Sequence, residues 1–276
     1  MRRVTWLLSL ALLSGCAAEP AAAPVSPKRS ADPRPRMEQI KADCMKQRGF
    51  KYLAYIKPAR PEPDQSTYEA MKTYRQKYGF GVFAQYVYPQ DPLSGSIETA
   101  RKEVADDPNM ALVGKLNDSQ LDFYNKAKNN CAVKATKEVL HKEVDSVMDG
   151  LNLMRDAKEE LEAAEIDGDP ELISLASGLA DCLVGKGRRV PSTKPMALAE
   201  RGFTAFWDLT DTLRDKKSEG QPLEITPAQA RPYLDREVKE ALEDLECGKG
   251  FYTRYAPKHA SIEARVWGEY GPLLGR

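Results

Sequence analysis

The sequence predicts a mainly α fold: a helical ectodomain that follows a disordered tether and consists of two disulfide-linked pseudo-repeat halves. Three observations predict it. Apolar residues recur at helical spacing between recognisable caps and stops. The alternating pattern of half-buried strands is nearly absent. Four cysteines sit in a twice-repeated local context, "ADCMKQRGF" at 42–50 and "ADCLVGKGR" at 180–188.

The elements follow in chain order. Glu38 to Gln47 places Ile40, Cys44 and Met45 together, and Gly49 is a natural stop. "KPARPEPD" at 57–64 breaks the chain. A helix is expected from Ser66 to Tyr78, ending at Gly79. The aromatic, glycine-containing run "YGFGVFAQYVYPQDP" then reads as extended or irregular. Ser94 or Ser96 caps a short helix to Ala105, and Asp118 caps a long one reaching about Ala164. Within that long helix Leu140, Val144, Val147, Leu151, Met154 and Leu161 form an amphipathic stripe. Asp169 followed by Pro170 starts the next helix, to Val184. Further helices are expected over Met196–Arg214, Pro227–Cys247 and from Ala260 onward.

The beginning of the chain carries its clearest signal. Arg2 and Arg3 precede an apolar run from Val4 to Leu13, too short for a spanning helix, which needs about 20 residues. The run has the size and flanks of a signal peptide. Leu13-Ser14-Gly15-Cys16 resembles a bacterial lipobox, and the resemblance implies cleavage before Cys16 and diacylation of its thiol. Two acyl chains would anchor the protein durably to a membrane. Residues 16–37 contain Pro20, Pro24, Pro27, Pro33 and Pro35 among Ala and Ser. That composition gives a semi-stiff spacer. The ectodomain is then 38–276, with halves of about 38–165 and 166–276, on the extracytoplasmic face of a bacterial membrane.

Five cysteines are present. With Cys16 lipidated, Cys44, Cys131, Cys182 and Cys247 remain, an even set suited to an oxidising compartment. Four cysteines allow three connectivities. The local echo, together with a later helical Cys near a Tyr in each half ("YNKAKNNCAVKA" and "LEDLECGKGFYTRY"), favours Cys44–Cys131 and Cys182–Cys247.

The stretch "CMKQRGFKY", then "YGFG", then "DPN…L…Q…FY…NNC…A", resembles a group of uncharacterised secreted proteins and lipoproteins of actinobacteria. The resemblance covers about residues 38–135 and, more loosely, 172–256. It implies an exported, cysteine-paired, mostly helical domain. It transfers no catalytic residue.

Charge and motifs exclude several function classes. The chain balances 41 basic against 41 acidic residues. Once signal and tether are removed the ectodomain is mildly acidic, unlike a nucleic-acid binder. No nucleophile elbow, zinc-protease helix or phosphate loop occurs. His141 and His259 are the two histidines. With no C-x-x-C pair beside them, neither a metal site nor a cofactor is expected, and both histidines read as surface residues. "VGKGRR" at 184–189 reads as a helix end, and "DGD" at 167–169 as a turn.

The aromatic run supplies the candidate binding surface: Tyr78, Phe80, Phe83, Tyr86 and Tyr88, whose flat apolar faces with polar tips suit sugars or protein partners. A core beneath a long loop is the competing account of the same residues. Trp207 and Trp267 read as packing residues. The function these features favour is a non-enzymatic surface lipoprotein that binds an envelope protein or a cell-wall component. The rival class is a cell-wall hydrolase, which needs two carboxylates facing each other across a cleft. A solute-binding component of an importer fits poorly, because two α/β lobes require strand patterns.

Overall fold

The computed structural model describes residues 32–214 and 223–275. The signal-like stretch, Cys16 and most of the tether lie outside the described residues. Eleven helices are present among those described: α1 (Arg34–Gln47), α2 (Tyr68–Tyr78), α3 (Ala84–Val87), α4 (Ile97–Ala105), α5 (Met110–Val113), α6 (Asp118–Leu140), α7 (Val147–Glu162), α8 (Pro170–Gly185), α9 (Pro195–Leu213), α10 (Pro227–Cys247) and α11 (Lys249–Tyr270). None is long and apolar enough to cross a membrane. Both within-half disulfides are formed, Cys44–Cys131 and Cys182–Cys247, each with a Cα–Cα distance of 5.6 Å. Such bonds belong to a protein that matures in an oxidising, extracytoplasmic environment.

Local chemistry explains most boundaries. Thr67 accepts the amide of Ala70 at 3.1 Å and starts α2. Asn117 and Gln120 form a capping box for α6, one residue before the expected Asp118. Asp169 accepts the amides of Glu171 and Leu172, and Pro170 needs no donor at the first helical position. Thr226 and Gln229 box the start of α10 ahead of Pro227.

Four expectations need correction. Arg34–Met37, assigned to the tether, are already helical, because Pro33 and Pro35 fall at the cap and first turn, where a missing N–H costs nothing. The run after Gly79 is not wholly irregular: α3 lies within it. The long helix expected from Asp118 to Ala164 is two helices. His141 takes a left-handed conformation (φ 53°) and turns the chain between α6 and α7. Finally, α11 begins at Lys249 rather than Ala260 and runs through Pro257.

Packing crosses the expected boundary near residue 165. α1 lies along α6 around a small cluster of Met45, Tyr124 and Ala127 beside the first disulfide. α2 and α3 pack instead on α10 of the second half. Met71 of α2 joins Leu172, Leu245, Phe251 and Tyr252 in one core, while Tyr78 and Phe83 join Phe206 and Leu234 in another. α10 is the central element, touching α2, α3, α8 and α9.

α10 carries three buried acids, Glu237, Glu240 and Asp244, on its packed side. Each has partners, as a buried charge must. Glu237 accepts the amides of Val82 and Phe83, both at 2.8 Å. Glu240 pairs with Arg188 at 2.9 Å and with Arg236 at 3.0 Å. Asp244 meets Arg75 at 2.8 Å, Arg201 at 3.1 Å and the hydroxyl of Tyr252.

Candidate functional site

The aromatic run folds inward. Gly79 (φ 63°) and Gly81 (φ 100°) bend the backbone so that its amides converge on Glu237. A Cβ on Gly79 would stand 2.7 Å from Glu237 Cγ, so only glycine fits. The rings then radiate into the α9–α10 junction. Tyr78 and Phe83 are buried, and Phe83 stacks on Tyr233 at 5.0 Å. Phe80, Tyr86 and Tyr88 are half-buried. Tyr78 donates to Asp91, and the Tyr88 hydroxyl accepts from Arg231. Tyr78 and Phe83 are thus part of the core, while Phe80, Tyr86 and Tyr88 pack half-buried against it, and the Glu237 carboxyl holds the turn between them through the amides of Val82 and Phe83.

Other sequence features also take structural roles. Arg188 of "VGKGRR" is held by Glu240 and Glu243. Asp167 of "DGD" accepts the Met196 amide, and Asp169 caps α8 while pairing with Arg254 and Lys258. Trp207 is not a packing residue; it is 45% exposed and stacks on Phe203.

A groove of about 750 Å³ lies between α11 and the proline-rich strap at 57–66. The prolines Pro58, Pro61 and Pro63 keep the strap out of helix. Its position is fixed by α4: Arg60 grips Glu103 through two hydrogen bonds, at 2.6 and 2.9 Å, and Lys57 adds a contact at 2.7 Å. That clamp, the Arg60 bonds above all, draws the Glu103 carboxyl down to about 2. The opposite wall is one face of α11, with His259, Ala260, Glu263, Ala264 and Trp267. The two alanines leave the groove its depth. A smaller cavity of about 140 Å³ shares Gln65 and His259 with the groove and is also lined by the buried Arg75.

At the α11 wall the side chains form a connected cluster. The His259 ring stacks on Tyr255 at 5.1 Å. His259 Nε2 lies 3.4 Å from Glu162 Oε1 and 3.6 Å from Glu263 Oε1. The Trp267 indole N–H donates to Glu263 Oε2 at 3.0 Å. Lys158 of α7 contacts Glu263 Oε1 and stands 3.6 Å from Glu162 Oε1. Glu162 is buried, and its Oε1 accepts no hydrogen bond.

The sequence suggests a surface role for His259 and a solvent-facing i,i+4 pair for Lys158 and Glu162, and gives Glu263 no role; in the structure Glu162 is buried instead. One local signal was present: His259, Glu263 and Trp267 recur every four residues and so share a helix face. Glu162 comes from α7, where its i,i+4 pairing with Lys158 points to solvent and not to His259. Glu162 and Glu263 are one pair of neighbouring acids, and the groove is also lined by Glu62, Asp64 and Glu103 on its strap side. Yet Glu162 does not line the groove and both it and Glu263 contact Lys158, so these two do not face each other across a cleft. A comparison with protein families, curated proteins and solved structures finds no match to this chain.

Proposed function

We propose that the protein is a surface lipoprotein of the bacterial envelope, anchored through acylated Cys16, whose groove between the 57–66 strap and α11 binds an envelope protein or cell-wall component. The observation that carries this reading is the groove itself. It is concave, walled by proline and alanine, and edged by Trp267 and a few fixed polar groups, as ligand sites usually are. The strap is prearranged by Arg60 and Glu103, which reduces the entropy lost on binding. The disulfides and the lipobox-like stretch support the location.

A photo-reactive residue at Ser66 or at Ala264 tests the binding face. Both should give a covalent adduct with one envelope component, and Ala260→Trp, which fills the groove, should abolish it. Adduct formation unchanged by Ala260→Trp would refute the groove as the site. For the anchor, Cys16→Ser should remove acyl incorporation and release the chain from the membrane fraction. Unaltered membrane retention would refute it.

A further inference from the structure

We propose that Glu162, His259 and Glu263 form a binding site for one divalent cation of the zinc type, set in the α11 wall of the groove. The inference goes beyond the binding reading above and does not depend on it. One ligand atom from each residue lies within 4.8 Å of the others. Zinc bonds to imidazole nitrogen and carboxylate oxygen are about 2.1 Å long, so neighbouring ligand atoms in a tetrahedron stand about 3.4 Å apart. The two histidine–carboxylate separations, 3.4 and 3.6 Å, are at that length. The donor set of one imidazole and two carboxylates suits zinc and its first-row neighbours.

A second observation points the same way. Glu162 is 8% exposed and its buried Oε1 accepts no hydrogen bond, leaving only the longer ion-pair contacts of His259 at 3.4 Å and Lys158 at 3.6 Å to satisfy it, which a cation at bonding distance would do better. That oxygen faces the histidine. The surroundings also orient the ligands. The Trp267 indole occupies Glu263 Oε2 and leaves Oε1 toward the cluster, and Tyr255 fixes the plane of the imidazole. Outer contacts of this kind position metal ligands. His259 and Glu263 line the groove, so the fourth coordination position opens onto it. Three protein ligands and one open position is the pattern of an accessible rather than a purely structural zinc site.

Lys158 is the internal competitor. Its ammonium contacts Glu263 Oε1 and supplies the positive charge that the two carboxylates require. The side chain is one-third exposed, so it can swing to solvent when a cation enters. Removing it should therefore strengthen binding, whereas it would weaken a merely structural ion-pair cluster.

The test uses the full chain with disulfides intact, stripped with chelator and titrated with Zn²⁺ alone. One ion per chain is expected. Lys158→Met should tighten binding by more than about tenfold, and Glu162→Gln and His259→Asn should each weaken it by more than about tenfold. His141→Asn, which keeps a residue tolerant of the left-handed conformation, should change nothing. Far-ultraviolet circular dichroism of each variant separates lost ligands from lost folding, with His259→Asn as the milder change. Absence of stoichiometric uptake by both the parent and Lys158→Met, or binding left unweakened by His259→Asn or by Glu162→Gln, overturns the proposal.

Discussion

Arg75 of α2 and Asp244 of α10 meet at 2.8 Å with both side chains out of solvent, 6% and 0% exposed. The guanidinium also lies over the Tyr252 ring, 4.6 Å from its centre. Asp244 is shared with Arg201 and with Tyr252, whose phenol burial holds well above its ordinary value and so keeps as a donor. One acid thus balances two buried arginines. Asp244→Asn should destabilise the protein by about 3–5 kcal/mol, because both guanidiniums lose their counter-charge. Arg75→Met should cost less, since Asp244 keeps Arg201 and Tyr252. Denaturant unfolding of the two variants checks the order, and equal losses would contradict it.

Glu237 makes stability depend on pH. Burial raises its carboxyl from an ordinary 4.5 to about 7, against the opposing pull of the amides of Val82 and Phe83. The folded state therefore holds this proton more tightly than the unfolded chain. The resulting stabilisation is fully present below about 4.5 and is lost as pH rises through 7. The whole span is worth on the order of 3 kcal/mol. Urea unfolding at intervals from pH 5 to 8 should show this decline, and Glu237→Gln should flatten it. A carbon-13 titration of the Glu237 carboxyl should have its midpoint near 7.

Gly202 sits in the middle of α9, where alanine would ordinarily gain about 1 kcal/mol of helix propensity. Here a Cβ would fall 2.1 Å from Cζ of Phe80. The ring must move, and overpacking of a buried contact costs about 1–3 kcal/mol. Gly202→Ala is therefore expected to lower the melting temperature. Phe80→Leu in the same chain should recover part of the loss, a coupling a double-mutant cycle measures.

The disulfides close loops of 87 and 65 residues. Chain entropy puts each at about 4–5 kcal/mol, an upper value for bonds of this kind. Their losses should differ in kind. Cys44 lies in the small α1–α6 cluster, so Cys44→Ser with Cys131→Ser should loosen α1 first and expose 48–56 to limited proteolysis. Cys182 and Cys247 tie α8 to α10 beside the large core, so their replacement should lower the main unfolding transition.

The helices with chemical punctuation were legible. Pro227–Cys247 forms over the expected span, its start marked by Thr226, Gln229 and Pro227, and the disulfides follow the pairing that the cysteine echo favours. α11 extends well before Ala260 because tertiary packing supports a helix that Gly250 and Pro257 argue against locally. The turn at His141 has no glycine or proline to announce it. The acids of α10 resemble a solvated face, since their partners lie far along the chain. Glu237 is answered by the backbone at 82–83, and Asp244 by Arg75. The aromatic run was conspicuous for composition, yet its burial depended on that unseen glutamate. His259 was visible only as a lone histidine, because Glu162 reaches it from another helix.

The partnership between Arg75 and Asp244 spans 169 residues of sequence. A ribosome makes the arginine first and must add all the intervening chain before its counter-ion exists. The second and third helices therefore spend that interval with their inner sides uncovered. These two helices cannot reach their final arrangement as they emerge, although α1 and α6 can pair earlier, and completion of the fold has to wait for the near-complete polypeptide.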